Sequence, residues 1–151
     1  MRTVGANSAF GYGHYGSIAL PLLAEHLPPG YDYHCLRSEL VSTDEAARAQ
    51  LGARFAYYGA ALDFQETAAL CECLDLIITV DTSIAHLSGS LGRPTWILLP
   101  FNCDWRWLEH RTDTPWYPSA RLYHQDRSHD WRPVLAAVTR DLLQAVVPAT
   151  T

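Results

Sequence analysis

The stretch from Leu74 to Pro100, LDLIITVDTSIAHLSGSLGRPTWILLP, decides the fold. Leu74 to Val80 is apolar on both faces apart from Asp75 and Thr79, the pattern of a strand covered on both sides. Asp81, Thr82 and Ser83 form a polar junction. Ile84, Leu87 and Leu91 then repeat at three and four, which predicts a helix, and Ala85, Ser88 and Gly89 are small enough to let it lie close on a sheet. Gly92 and Pro94 break that helix, and Thr95 to Pro100 reads as the next buried strand.

The same alternation extends outward. "SIALPLLAEHL" from Ser17 predicts a helix with Pro21 in its first turn or at a bend. Tyr31 to Leu36 follows as a short strand. Ser42 with Glu45 has capping-box spacing, with Gly52 as the stop. "RFAYYG" is another short strand, and Asp63 with Glu66 repeats the cap spacing ahead of "TAALCECL". After Pro100 comes an aromatic loop with room for one helical turn, then "ARLYHQ" as a strand. The last helix carries Trp131, Val134, Leu135, Val138, Leu142 and Val146 on one face. Strands alternating with helices imply a Rossmann-like, doubly wound parallel sheet with helices on both faces. The N-terminal "MRTVGANSAFGYGHYGS" reads as a loop in which only "TVGA" stands where a first strand belongs. That strand is expected to be very short, or else Met1 begins inside a longer domain.

The 151 residues fit one domain, residues 1–151, and 48% hydrophobic with 18% charged residues is the composition of a folded chain. A net charge of -5 argues against a general nucleic-acid binder. No apolar run approaches the roughly 20 residues of a membrane span, and the Met1 end lacks the pattern of a secretory signal. The expected location is the cytoplasm. Cys35, Cys71, Cys73 and Cys103 form no Cys-x-x-Cys pair, which argues against zinc and for reduced core or surface thiols.

Ligands of open parallel sheets bind outside the carboxyl ends of the strands, where helix N-termini present free N–H groups. Thr82 and Ser83 hold such a position and suit a phosphate without a lysine cluster. Asp81 admits two readings: an N-cap that satisfies the same N–H groups, or part of a ligand site. His86, three residues after Ser83, is read as a packed, hydrogen-bonded residue or a site residue. A Ser83–His86–Asp81 hydrolase triad is disfavoured, because three residues in one helical turn do not reach triad geometry and no Gly-x-Ser-x-Gly elbow is present. Gly11, Gly13 and Gly16 fit G-x-G-x-x-G only weakly, since no strand of useful length is read before them.

Three segments, "VDTSIAHLSGSLGRPTW", "LLPFNCDWRW" and "PWYPS", resemble the C-terminal, donor-binding half of family 9 glycosyltransferases. These are heptosyltransferase-like proteins, often linked to tetratricopeptide repeats. The similarity runs from about Ser17 to Val146 and is strongest from Asp63 to Tyr123. It implies half of a GT-B fold, in which two Rossmann-like domains face across a cleft, and a nucleotide-diphosphate sugar as donor substrate with no further cofactor and no metal. On that resemblance Thr82 and Ser83 face the diphosphate, Asp81 faces sugar or ribose hydroxyls, and His86 supports the turn. Asn102, Asp104, Trp105 and Arg106 become candidates to line the nucleotide pocket, although the aromatic residues there equally suit covering a sheet edge.

The implied chemistry is inverting transfer of a hexosyl or heptosyl group to an acceptor hydroxyl. Two departures from the family pattern bear on it. Family members carry basic residues in the loop after the first strand, where this chain has "ANSAFGYGHYGS" with His14 alone as a possible cation. Arg37, at the end of the second strand, is the candidate to compensate, or is simply solvated. The acceptor domain, which usually contributes the base, is not in the sequence, so the expected partners are a nucleotide sugar and either a separate acceptor-binding domain or a second copy of the chain. The alternative is a degenerate GT-B half acting as a protein-interaction or regulatory module.

Overall fold

A computed structural model describes residues 2–7 and 16–145. The elements run β1 (Arg2–Asn7), α1 (Leu20–His26), β2 (Tyr31–Cys35), α2 (Glu45–Leu51), β3 (Phe55–Tyr57), α3 (Phe64–Cys73), β4 (Leu76–Val80), α4 (Ser83–Ser90), β5 (Thr95–Leu99), β6 (Ala120–His124) and α5 (Arg132–Ala145). The strands form one sheet in the order β3-β2-β1-β4-β5-β6. Every pairing in it is parallel. Because β1 pairs with both β2 and β4, the chain winds outward in both directions from the centre, the topological switch point of a doubly wound sheet.

Alternate residues of each strand feed opposite layers, as a pleated strand requires. Ile78, Val80, Leu98 and Tyr123 pack with α1, α2 and α5. Ile77 packs with α3 and α4, while Ile97, Leu99 and Leu122 pack with Ala85 of α4 and with Trp107. Hydroxyls tie α5 down: Tyr31 donates to the Leu142 carbonyl at 2.6 Å, and Tyr123 donates to Asp141 at 2.9 Å. In α4, Ala85, Ser88 and Gly89 are all buried, as their size predicts.

Two expectations change. β1 is six residues long and central, not vestigial. Its sequence reads weakly because Gly5 interrupts it, yet glycine is what this site demands: a Cβ there would lie 2.6 Å from Leu74 Cδ1 and 2.9 Å from Leu36 Cδ1. A strand therefore does precede the glycine run, although Gly11, Gly13 and His14 lie outside the described residues, as does Val146. The second change is at the start of α2. A 3-10 turn over Ser42–Asp44 precedes the helix, and it is the Asp44 carboxylate, not Glu45, that reaches back, accepting from the Val41 N–H at 3.1 Å. The Asp63–Glu66 box forms as read, with reciprocal bonds of 2.7 and 2.9 Å. Pro21 falls in the first turn of α1.

Asp75 adds a polar clasp between β1 and β4. Its Oδ2 accepts from the Thr3 N–H at 2.9 Å and from Thr3 Oγ1 at 3.0 Å. Those donors hold the carboxyl below its ordinary value of 3.8. A carboxyl depressed in the native state stabilises the fold above its unfolded value and loses that contribution as pH falls through the native one. Asp75→Asn is thus expected to be less stable than wild type near neutrality, with the gap narrowing below about pH 4. Urea midpoints measured across pH check this, and a pH-independent gap contradicts it.

Candidate functional site

β4 delivers the chain to the carboxyl edge of the sheet beside the switch point. The N-cap of α4 is Thr82, whose extended backbone places Oγ1 to accept from the Ile84 N–H at 3.2 Å. Thr79 Oγ1 lies 3.2 Å from the same oxygen and joins the strand end to the cap. Asp81 is therefore not the capping residue. Ser83 begins the helix and is exposed.

Thr82 and Ser83 open onto a cleft of about 640 Å³, which they share with Arg37, Ser38 and Glu39 beyond β2 and with Asp63 and Phe64 at the start of α3. Arg37 is not a solvated strand-end residue. Its Nη1 donates to Asp44 Oδ2 at 3.0 Å, and the two side chains are only 12% and 3% exposed. Its Nε is buried without a hydrogen-bond partner. The guanidinium is thus fixed at the cleft wall by a carboxylate that also closes the turn before α2. Ser38 and Glu39 were missed by sequence reasoning, although their place just past a strand's carboxyl end was a signal for them.

Asp81 and His86 belong to an adjoining cluster. His86 Nδ1 lies 2.9 Å from the Tyr117 hydroxyl, its ring stacks on Trp107 at 5.2 Å, and its Nε2 faces Asp81 Oδ1 at 4.0 Å. Among the described residues, no Ser83–His86 couple is formed. Tyr117 and Trp107 come from the long segment between β5 and β6, whose path the sequence did not reveal.

The remaining candidates fall elsewhere. Asn102 lines a separate cleft of about 850 Å³ beyond β5 and β6, together with Arg111 and His124. There His124 contacts the Arg111 carbonyl at 2.9 Å, and burial lowers its pKa. Asp104, Trp105 and Arg106 make a surface turn, to which the Trp116 indole N–H is tied by donating to the Arg106 carbonyl at 2.8 Å. Asp104 accepts from the Arg106 N–H at 2.9 Å and from its guanidinium at 2.8 Å, and that guanidinium sits 5.5 Å over the Trp105 ring. None of the three lines the cleft of Arg37. Trp107 does cover the sheet, at 1% exposed, whereas Trp105 at 73% does not. All four cysteines are free. Burial raises the Cys35 thiol and pushes Cys71 to about 11. Among the described residues no group of three or more His, Cys, Asp or Glu side chains is placed to hold a metal ion, and no helix is long and apolar enough to cross a membrane.

A family model described as Glycosyltransferase family 9 (heptosyltransferase) matches residues 39–98, which include the Asp81–His86 turn. Protein FlbA of Caulobacter vibrioides is 31% identical over 81 residues, 53% of this chain but 13% of that protein. E. coli heptosyltransferase WaaC with ADP-2-deoxy-2-fluoro heptose matches 95% of this chain with a TM-score of 0.65 at 11% identity, over 43% of its own length. E. coli ADP-heptose LPS heptosyltransferase II matches at 0.62 and 16% identity, over 44% of its length. The chain thus spans less than half of these structures and a small part of FlbA. Its fold is the Rossmann-like α/β fold of GT-B heptosyltransferases. Within that fold, residues 39–98 are similar to the family 9 glycosyltransferases.

Asp44 is the structural support of the cleft wall, since its removal orphans both the Arg37 guanidinium and the Val41 N–H. Asp44→Ala is expected to cost about 3 kcal/mol, as for a broken buried ion pair. Equilibrium urea denaturation measures this, and a loss under about 1 kcal/mol would show that the pair is dispensable.

Proposed function

We propose that this chain is the donor-binding half of a glycosyltransferase and seats a nucleotide-diphosphate sugar in the Arg37–Thr82–Ser83 cleft. The observation that carries the reading is convergence. A helix start, its capping hydroxyl, an exposed serine and a buried-paired arginine face one space at the switch point of the sheet. The positive end of the α4 dipole favours an anionic ligand, Thr82 caps that end through the Ile84 N–H, and the exposed Ser83 adds a hydroxyl donor. E. coli WaaC is known with ADP and with ADP-2-deoxy-2-fluoro heptose, which supports the same ligand class here.

In transfer with inversion, the acceptor oxygen attacks the anomeric carbon from the face opposite the departing diphosphate. The sugar–phosphate bond breaks, and a base takes the acceptor proton. The part of this chain is to stabilise the negative charge that accumulates on the leaving diphosphate, with donors fixed before the reaction begins. The α4 N-terminus and Arg37 supply that positive potential, so the reading calls for no metal ion. The base and the acceptor site belong to a second, acceptor-binding domain facing the carboxyl edge of the sheet. Without it, the chain binds donor but does not turn over.

Calorimetric titration with UDP, GDP and ADP, and with their common sugar conjugates, tests the reading. Wild type is expected to bind one nucleotide saturably, and Thr82→Ala/Ser83→Ala to bind it roughly tenfold or more weakly while remaining folded by circular dichroism. A folded wild-type chain that binds none of them would contradict donor binding and leave the cleft as part of a protein-interaction module.

A further inference from the structure

The motif PWYPS, Pro115 to Ser119, contributes nothing to the donor cleft, yet its tyrosine reaches back to the donor turn. The turn contains an electrostatic conflict. Asp81 adjoins the two residues proposed to seat a diphosphate, and a carboxylate beside a helix N-terminus repels such an anion and competes for the same N–H groups. The structure keeps the carboxylate out of the cleft lining and places its Oδ1 4.0 Å from His86 Nε2.

His86 is itself held on two sides. Trp107, fully buried, stacks on its ring with an interplanar angle of 21°, and the Tyr117 hydroxyl lies 2.9 Å from Nδ1. Tyr117 can reach it because position 89 on α4 is glycine. A Cβ there would sit 2.5 Å from Tyr117 Cγ and push the ring away.

We propose that Tyr117 is a positioning residue for the donor diphosphate, a role that rests on the function proposed above. Its hydroxyl donates to His86 Nδ1 and keeps the ring proton on Nε2. The resulting N–H faces Asp81 and holds the carboxylate turned away from the diphosphate seat. The opposite tautomer would set the Nε2 lone pair against the carboxylate, two acceptors face to face. Trp107 fixes the plane of the ring, and Tyr117 fixes which nitrogen carries the proton.

Tyr117→Phe tests this, because it leaves the ring against Gly89 and removes only the hydroxyl. Long-range ¹H–¹⁵N spectra at about pH 8.5, where a histidine ring carries one proton, are expected to show His86 of the wild type in the Nε2–H form and of the variant as a mixture. The affinity for whichever of UDP, GDP or ADP the wild type binds is expected to fall roughly fivefold in Tyr117→Phe. Introducing Asp81→Asn is expected to abolish that difference, since a neutral side chain no longer needs to be held aside. Nδ1–H in the wild type would overturn the proposal. So would equal nucleotide affinity in wild type and Tyr117→Phe, or a loss that persists with Asn at position 81. If no nucleotide binds the wild-type chain, the donor reading itself fails and the role of Tyr117 fails with it.

Discussion

The parallel ladder between β1 and β4 is the constraint on which the other parts of the structure depend. Val4 to Asn7 pair with Leu76 to Thr79, so two strands far apart in sequence end side by side. From there the chain winds to β2 and β3 on one side and to β5 and β6 on the other. The crevice at the carboxyl edge follows from that divergence. Gly5, which admits Leu36 and Leu74, and Asp75, which clasps Thr3, are specific to this ladder.

An acidic chain that is to attract an anion must do so by orientation, because its net charge works against it. The seat proposed here uses little formal charge. Its wall cation, Arg37, is paired with Asp44, and that pairing fixes its position. Thr82 caps α4 with its side chain while the exposed Ser83 begins the helix. Of the nearby carboxylates, Asp81 is directed toward His86 and Asp63 accepts from the Glu66 N–H as the cap of α3, while Glu39 also lines the cleft. The same residues seen as a charge count would predict repulsion; seen as oriented dipoles they suit a diphosphate.

What could be read from the sequence was what local rules control. Leu74 to Leu99 is legible because strand burial, helix periodicity and small-residue packing all point the same way there. The Asp63–Glu66 box is legible because its bonds close within one turn. β1 was not, because its stability comes from pairing on both edges and from leucines of other elements that fill the space over Gly5. The pairing of Arg37 with Asp44 and the return of Tyr117 to His86 were also hidden, since no periodicity encodes a contact made across a loop. Likewise Asp104, Trp105 and Arg106 are pocket candidates by their place after β5, but their local bonds and the Trp116 indole on the Arg106 carbonyl fold them into a surface turn.

The measurement that bears most directly on a diphosphate seat at the switch point is a map of backbone amide shifts in ¹⁵N-labelled chain on adding a nucleoside diphosphate. The account predicts the largest shifts at Thr82, Ser83 and Ile84, with a second group at Arg37 to Glu39 across the cleft. Shifts centred instead on Asn102, Arg111 and His124 beyond β5 and β6, with the Thr82 turn unmoved, would contradict it.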